Sequence, residues 1–302
     1  MRPKVLVILG STSSGKSALA VELARKFDGE VISADSRQVY RGLTIGTGKI
    51  TKRDMRGVPH YLLDVASPKR KFSADDYVKR ARAAIRDIAS RGKLPIVAGG
   101  TGFYIDALVG RITLPNVPPN ADFRRIHNKS AAADLLCMLE KVDPVRARTI
   151  EPNNKRRILR ALEIAHALGK NPTPKTTLEY DVLWVGIAPP IKELEKKIHI
   201  RLLARMRQGM VAEAKRLHAG GLSYRRMDEL GLEYRSLARL LQGTITREEM
   251  IEELNRAIRK YAKRQITYWK RNKDIRWFGK PTAHTISKEI GVWLRREASS
   301  WS

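Results

Sequence analysis

Apolar residues run without a polar break from Val5 to Leu9 in KVLVIL, and the chain then changes to helical spacing across SGKSALAVELARKF. A continuous apolar run bounded by glycine reads as a strand buried on both faces. The same change of period recurs further along. EVISADS is a second strand-like run, ending at a carboxylate, and HYLLDV is a third. SADDYVKRARAAIRDIASRG carries apolar residues every three or four positions, opens with Ser73 and Asp76 at capping-box spacing, and closes at Gly92. KLPIVAGGTG is another buried strand, running into glycines. Strand and helix alternate, so the pattern predicts an α/β fold with a parallel sheet flanked by helices.

After Gly110 the pattern changes. LPNVPPNA is a Pro/Asn-rich joint, and from Asp122 to about Gly169 the spacing is helical with no strand signal. NPTPKTT closes this stretch, and DVLWVGIA, 181–188, returns to a strand that belongs with the main sheet. From Ile191 onward the pattern is helical, with a long basic helix near 246–273. The expected organisation is therefore a core built from 1–115 and 181–302, interrupted by a small all-helical insertion, 116–180.

Composition narrows the class. Hydrophobic residues make up 42% and charged residues 30%, which fits a folded globular chain. No apolar run approaches the ~18 residues of a membrane span. The basic, apolar N-terminus leads directly into a glycine-rich loop, so it reads as a first strand rather than a signal peptide. A single cysteine, Cys137, excludes an internal disulfide and a cysteine zinc cluster. It is expected to be a buried small hydrophobe in a cytoplasmic protein. His60, His127, His166, His199, His218 and His284 show no metal-ligand spacing. The net charge of +28, spread over the whole chain, favours a polyanionic partner, of which nucleic acid is the commonest.

The candidate chemistry begins at Gly10-Ser11-Thr12-Ser13-Ser14-Gly15-Lys16-Ser17, which fits G-x-x-x-x-G-K-[ST] between a strand and a helix. Its glycines let backbone N–H groups face phosphate oxygens at a helix N-terminus, Lys16 adds a cation, and the Ser17 hydroxyl is placed to ligate Mg²⁺. Such loops commonly work with a second strand ending in an acid, but LPIVAGG ends in Gly99-Gly100-Thr101. Asp35 is the strand-end acid nearest the loop, as a metal helper or a general base. Ser36, Arg37, Gln38, Tyr40 and Arg41 follow it, a set suited to reading a polar substrate such as a base edge. Thr101 is either a reactive-site hydroxyl or an ordinary helix cap. Arg156, Arg157 and Arg160 lie on one predicted helix beside Lys155, as a phosphodiester contact or as a solvated face. RKYAKRQITYWKRNK interleaves Tyr261, Tyr268 and Trp269 with Lys263, Arg264 and Lys270. Bases stack on such aromatics, but an amphipathic helix with Ile266 and Trp269 in the core gives the same pattern.

Together, the phosphate loop, ISADSRQVYRGLTIGTGK, GVPHYLLD, FSADDY, GKLPIVAGGTGFYIDAL, RRILRALEI and YAKRQITYWKR resemble the tRNA dimethylallyltransferases, also called tRNA isopentenyltransferases, of the bacterial type. The resemblance runs from Val5 to about Lys273. It implies a P-loop NTPase-like core that carries a dimethylallyl group from dimethylallyl diphosphate to the N6 amine of an adenosine next to the tRNA anticodon. The loop then holds diphosphate with Mg²⁺, Asp35 resembles the family's general base, and Thr101 and Arg124 are implied near the reacting centre. Contacts to the anticodon stem-loop are implied for Asp35–Gln38 (with Ser36 and Arg37), for Arg156, Arg157, Ile158, Leu159 and Arg160, for Tyr234 and Arg235, and for Lys263, Arg264, Gln265, Tyr268 and Lys270. The insertion is implied to embrace the stem, and a monomer away from the membrane is expected. Ser11 stands where the family commonly has Pro, Ser17 replaces Thr, and GLEYR replaces a GYR-like segment. The alternatives on this core are a nucleotide or small-molecule kinase and a free-adenine-nucleotide isopentenyltransferase. The charge, the insertion and the missing second acid disfavour the first. The basic helices disfavour the second.

Overall fold

The residues from Val5 to Leu9 have no contact with solvent, because their strand lies in the middle of a sheet covered on both faces. The computed structural model describes residues 2–172 and 177–296. The chain forms β1 (Lys4–Gly10), α1 (Lys16–Lys26), β2 (Gly29–Ala34), α2 (Lys52–Met55), β3 (His60–Tyr61), α3 (Ala74–Ser90), β4 (Leu94–Gly99) and α4 (Gly102–Leu108). Then come α5 (Ala121–Ile126), α6 (Ala132–Val142), α7 (Pro144–Thr149) and α8 (Lys155–Leu168). The remainder is β5 (Asp181–Ile187), α9 (Ile191–Arg207), α10 (Met210–Ala219), α11 (Tyr224–Leu230), α12 (Leu232–Leu241), α13 (Arg247–Trp269), β6 (Arg276–Phe278) and α14 (Ala283–Arg295).

All strand pairs are parallel, in the order β3-β2-β4-β1-β5-β6. Leu6 sits between Ile96 and Leu183 in register, and Val97 pairs Ile32. The chain turns to one side of β1 for β2 and β3, comes back for β4, and crosses to the other side for β5. Such a reversal opens a crevice at the carboxyl ends of the central strands, where α/β sheets bind ligands. The loops after β1, β2 and β4 all leave from that edge.

The chain divides into two units, Met1–Arg111 with Thr177–Ser302, and Ile112–Thr176. In the first, one core packs α1 and α14 on the sheet through Leu19, Leu23, Ile286 and Ile290. A second core joins α9 to α13 around Leu202, Leu237, Leu254 and Ile258. The second unit has its own small core of Leu135, Leu139, Ile158 and Leu162. Residues 173–176 of the expected NPTPKTT joint lie outside the described residues.

Local signals explain the helix ends. Ser73 Oγ accepts from Asp76 N–H (3.1 Å) and Asp76 Oδ2 accepts from Ser73 N–H (2.9 Å), a reciprocal capping box that starts α3. Thr246 and Glu249 do the same for α13. HYLLDV contributes only His60 and Tyr61 to the sheet, because Leu62 and Asp64 take left-handed backbone angles (φ 62° and 56°) that end the strand. The three-residue β6 interrupts the helical C-terminal region, too short to show a period in the sequence. Cys137 is exposed, not buried: it lies on α6, whose inward positions are Leu135 and Leu139.

The C-terminal helix is tied down by the first strand. Lys4 Nζ donates to the carbonyls of Trp293 (2.9 Å), Leu294 (2.7 Å) and Arg296 (2.7 Å) at the end of α14. A cation there meets the helix's unpaired acceptors and its partial negative charge. Lys4→Met removes all three bonds, and the expected loss is about 1–2 kcal/mol, to be read as a lower urea midpoint for unfolding.

Candidate active site

The phosphate loop is shaped by its backbone. Gly10 leaves β1 at φ 153°, and a Cβ there would lie 2.5 Å from the Ile187 carbonyl oxygen, so only glycine fits. Ser13 adopts φ 62°, and Gly15 at φ 99° caps α1. These reversals turn the loop back over the start of α1, where N–H groups lack helical partners. Ser11 and Ser14 keep buried hydroxyls with no hydrogen-bond partner among the described residues, while Ser17 is exposed. Lys16 Nζ donates to the Ser11 carbonyl (2.5 Å). Its ammonium is shielded from water, which pushes its pKa down to about 8, against the opposing pull of Asp35 and with a further push from Arg201.

Asp35 follows the last residue of β2. Its Oδ1 accepts from Arg37 N–H (2.8 Å) and Gln38 N–H (3.2 Å), which fixes the carboxylate, and its Oδ2 has no partner among the described residues. Thr101, at the end of β4, donates its N–H to the Ala34 carbonyl (3.1 Å) and accepts at Oγ1 from Ser36 N–H (3.0 Å). The hydroxyl does not cap α4. It stitches the β4 turn to the Asp35 loop.

The third component is α13. Gln265 accepts at Oε1 from Thr12 N–H of the phosphate loop (2.8 Å) and donates from Nε2 to the Gly100 carbonyl (2.9 Å). A Cβ on Gly100 would lie 2.2 Å from that nitrogen. One turn on, the Tyr268 ring lies where a Cβ on Gly102 would be, and its hydroxyl donates to Asp106 of α4 (2.5 Å). Burial holds the Asp106 carboxyl above the usual range. Arg271 stacks on Tyr268 at 4.0 Å.

A cavity of ≈ 320 Å³ opens where these ends meet. Thr12, Ser13, Lys16 and Ser17 line it, with Asp35, Ser36, Arg37 and Gln38, Gly99 and Gly100, and Thr47 and Gly48. Arg201 of α9, Leu230 to Glu233, and Ile258, Tyr261, Arg264 and Gln265 of α13 complete the wall. The lining therefore brings together cations, a fixed carboxylate, hydrogen-bonding side chains and an apolar, aromatic surface. A larger cavity of ≈ 510 Å³ near Gly42, Lys69 and Leu217 has no comparable set of groups, since its one acid, Glu213, is already fully bonded. The chemistry belongs to the smaller space. Among the described residues no cluster of three or more His, Cys, Asp or Glu side chains stands at metal-binding distance. No helix of the described residues is long and apolar enough to cross a membrane.

The structure corrects several expected contacts. Tyr234 is buried with its hydroxyl on Glu213 (2.8 Å), Ile158 is in the insertion core, and Gln265 spends its amide inside the protein. A buried side chain with satisfied bonds presents nothing to RNA. Leu159 packs partly on the same insertion core. Arg160 is half-buried and spends its guanidinium on Glu163 (3.1 Å) and the Val117 carbonyl (2.6 Å). Arg124 is a bidentate partner of Glu163 (2.6 and 2.8 Å), which holds that buried carboxyl below its usual range together with Arg160. Arg156 and Arg157 are exposed on α8, Arg157 beside Glu151 (3.2 Å), and Lys263, Arg264 and Lys270 are exposed on and just after α13. Arg235 is exposed and paired with Asp228 (2.7 Å). Arg201 was missed, because one arginine in a helical IHIRLLARMR carries no motif. Only the packing of α9 brings it to the phosphate loop.

The comparisons with known proteins agree with one another. A family model described as IPP transferase matches residues 38–272. The chain is 38% identical over 284 residues to the tRNA dimethylallyltransferase of Anoxybacillus flavithermus, covering 92% of this chain and 91% of that one. It is 39% identical over 290 residues to that of Caldanaerobacter subterraneus, covering 92% of each. A solved tRNA isopentenylpyrophosphate transferase from Bacillus halodurans matches at TM-score 0.72 and 35% identity, covering 97% of this chain and 96% of that chain. A eukaryotic dimethylallyltransferase acting on tRNA matches at TM-score 0.86 and 26% identity, covering 99% of this chain and 81% of that chain.

Two outcomes are expected at the phosphate loop. A protonated Lys16 attracts diphosphate and a neutral one does not, so its contribution to diphosphate affinity fades as pH rises through about 8. Calorimetric titration of inorganic diphosphate into wild type and Lys16→Met should show their affinity ratio shrinking from pH 7 to pH 9, about one unit either side of that value. The titration of diphosphate itself cancels in that ratio. Gln265→Leu leaves Thr12 N–H and the Gly100 carbonyl unpaired, so unfolding in urea should become easier by about 2–4 kcal/mol and diphosphate binding weaker.

Proposed function

The chain belongs to the IPP transferase family, and on that premise we propose that it transfers a dimethylallyl group from dimethylallyl diphosphate to the N6 amine of the adenosine beside a tRNA anticodon. The bond from C1 to the bridging diphosphate oxygen breaks, the bond from N6 to C1 forms, N6 loses one proton, and diphosphate leaves. The observation that carries the reading is that the phosphate loop and Asp35, whose carboxylate is fixed at Oδ1 and has no partner at Oδ2 among the described residues, line one cavity that also has an apolar wall.

Departure of diphosphate builds negative charge on its oxygens. The phosphate-loop N–H groups, Lys16 and Arg201 stabilise that charge in a site poor in water. Ser17 and Asp35, both hard oxygen donors in one cavity, suit Mg²⁺ held mainly by substrate phosphates, and the ion would add further charge stabilisation to the leaving group. The exocyclic amine is a weak nucleophile, so its proton must go as the new bond forms. Asp35 accepts it, with Oδ1 held by Arg37 and Gln38 so that Oδ2 is the basic atom. Thr101 keeps this loop in place through Ser36. Leu230, Leu232, Ile258 and Tyr261 supply an apolar surface for the five-carbon group and shield it from water.

An adenine inside a folded anticodon loop reaches such a cavity only when extruded from its stack. The exposed Lys263, Arg264 and Lys270 of the core, and separately the exposed Arg156 and Arg157 of the insertion, are the side chains expected to meet phosphodiesters, in keeping with the +28 net charge. A monomer that meets its tRNA substrate in the cytoplasm completes the reading.

The decisive test is nucleoside mass analysis of tRNA after incubation with the protein, dimethylallyl diphosphate and Mg²⁺. An adenosine gaining the mass of one dimethylallyl group is expected. ATP-dependent phosphorylation of a small acceptor, with tRNA unmodified, would overturn the reading. Asp35→Asn is expected to cut turnover by roughly 10²–10⁴ with tRNA binding intact, measured by filter retention. Unchanged turnover removes Asp35 as the base.

A further inference from the structure

The loop that carries Thr47 and Gly48 into the cavity is held from behind by a single side chain. Between Leu43 and Lys49 the backbone makes a tight turn. Gly48 N–H donates to the Ile45 carbonyl (3.0 Å) and Lys49 N–H to that of Thr44 (3.0 Å), with Gly48 at φ 59°. The turn points three successive N–H groups the same way. A backbone arranged so forms a concave nest for an anion. Here the chain supplies the anion itself: Glu213 of α10 accepts from Thr44 N–H (3.1 Å) and Ile45 N–H (2.7 Å) at Oε2, and from Gly46 N–H (2.9 Å) at Oε1. The Tyr234 hydroxyl adds a fourth donor to Oε1 (2.8 Å). Glu213 is 3% exposed and Tyr234 1%, so this is a buried and fully satisfied network.

The opposite side of the same turn offers carbonyls, and two arginines of α9 take them. Arg205 Nη1 donates to the Gly46 carbonyl (2.6 Å) and also meets Glu233 (3.1 Å). Arg201 Nη2 donates to the Gly48 carbonyl (2.9 Å). That bond is the one that orients the Arg201 guanidinium among the described residues, and the same nitrogen lies 2.8 Å from where a Cβ on Gly48 would be. Fit is close at Gly46 too, where a Cβ would lie 2.7 Å from the Tyr234 hydroxyl. The turn is thus clamped between a carboxylate on one side and two guanidinium groups on the other.

We propose that Glu213 is a positioning residue for the transfer reaction: by filling the nest of the 44–48 turn it sets the Gly48 carbonyl, and through it holds Arg201 against the diphosphate. The inference rests on the reading of the phosphate loop as a diphosphate site. Glu213 is buried behind the turn and is not among the residues that line the cavity with Asp35. Its loss is therefore felt at the phosphate end of the reaction and not in tRNA capture. A glutamine there keeps the shape but offers a single acceptor oxygen, and its NH₂ faces N–H donors, so the turn must shift. Small displacements of a charged group that stabilises a leaving group are costly.

The experiment compares wild type, Glu213→Gln and Tyr234→Phe. Calorimetry with inorganic diphosphate gives affinity at the phosphate end, and steady-state transfer to tRNA gives separate KM values for dimethylallyl diphosphate and tRNA. For Glu213→Gln, a loss of about tenfold or more in diphosphate affinity is expected, with a matching rise in the KM for dimethylallyl diphosphate and no change in that for tRNA. Tyr234→Phe removes one donor of the four, and a smaller loss in the same direction is expected. If Glu213→Gln does not fold, Tyr234→Phe alone decides, since it keeps the buried ring. Unchanged diphosphate affinity in a folded variant overturns the proposal. So does a parallel fall in diphosphate and tRNA affinity, which marks general loosening. A wild type that binds diphosphate but never modifies tRNA removes the proposed reaction and leaves the Glu213 linkage to be judged by the calorimetry.

Discussion

The two hydrogen bonds of the Gln265 amide hold the site together. They join the phosphate loop after β1 to the turn after β4, and they come from a helix, α13, that lies more than 150 residues further along the chain. Several constraints follow from that tie. Residue 100 must lack a side chain, because the amide nitrogen occupies its place, and residue 102 must lack one because the Tyr268 ring does. Helix α13 must dock on the carboxyl edge of the sheet before the phosphate loop has its final shape. The docking is driven elsewhere, by Met250, Leu254, Ile258 and Ala262 packing into the core shared with α9 through α12. Hydrophobic burial thus supplies the driving force, and the amide supplies the register between loop and turn. A P-loop core could form its sheet without the C-terminal helices, but its phosphate loop would then lack one backbone partner and its cavity one wall.

That arrangement separates what was legible in the sequence from what was not. The strands β1, β2 and β4 were legible because parallel strands covered on both faces must be continuously apolar, and the phosphate loop because its glycine spacing has few other uses. Asp35 was legible as a strand-end acid. Helix α13, expected near 246–273, runs from Arg247 to Trp269, and the capping box of Thr246 and Glu249 sets its start. What failed was the side-chain assignment within amphipathic helices. In KRRILR the fourth and fifth residues, Ile158 and Leu159, were grouped with the arginines, yet Ile158 must be core because it sits on the face shared with Ala161 and Leu162. Tyr234 read as a polar contact and is instead 1% exposed, since a tyrosine satisfied by a buried carboxylate looks in sequence like one waiting for RNA. Arg201 was invisible for the opposite reason. It sits in an ordinary amphipathic pattern, and its role comes from long-range packing. β6 was lost because three residues cannot show a period.

The same contrast explains how a chain of net charge +28 keeps a chemically selective centre. Excess positive charge attracts RNA from a distance but gives no specificity by itself. Selectivity requires carboxylates, and the buried acids are committed. Glu163 is neutralised by Arg124 and Arg160, Glu30 by Arg91 with its carboxyl held down to about 2, and Glu213 by the N–H groups of the 44–48 turn. Asp106 takes the Tyr268 hydroxyl, and Glu233, which shares the cavity wall, is paired with Arg205. Apart from Asp106, whose Oδ1 is buried without a hydrogen bond among the described residues, each of these acids organises backbone or cations, because a buried carboxylate without partners is costly to keep.

Asp35, in contrast with Glu163, Glu30 and Glu233, is held by backbone and, among the described residues, not by a cation. Its first oxygen is spent on two backbone N–H groups of its own loop, which fixes the carboxylate, while its second has no hydrogen-bond partner among the described residues, and the residue lines the cavity. A fixed acid with one unspent oxygen is what deprotonation of a positioned amine requires, since a mobile or fully bonded carboxylate would have to reorganise first. Phosphoryl transfer on such a core makes a different demand, a second strand-end acid that shares the metal, and β4 ends instead in Gly99, Gly100 and Thr101. In that position the chain has spent its sequence on backbone approach: Gly99 admits the Ala34 carbonyl, Gly100 admits the Gln265 amide, and Thr101 bonds Ser36. The demand for close packing at the end of β4 leaves no place there for the acid a kinase would need.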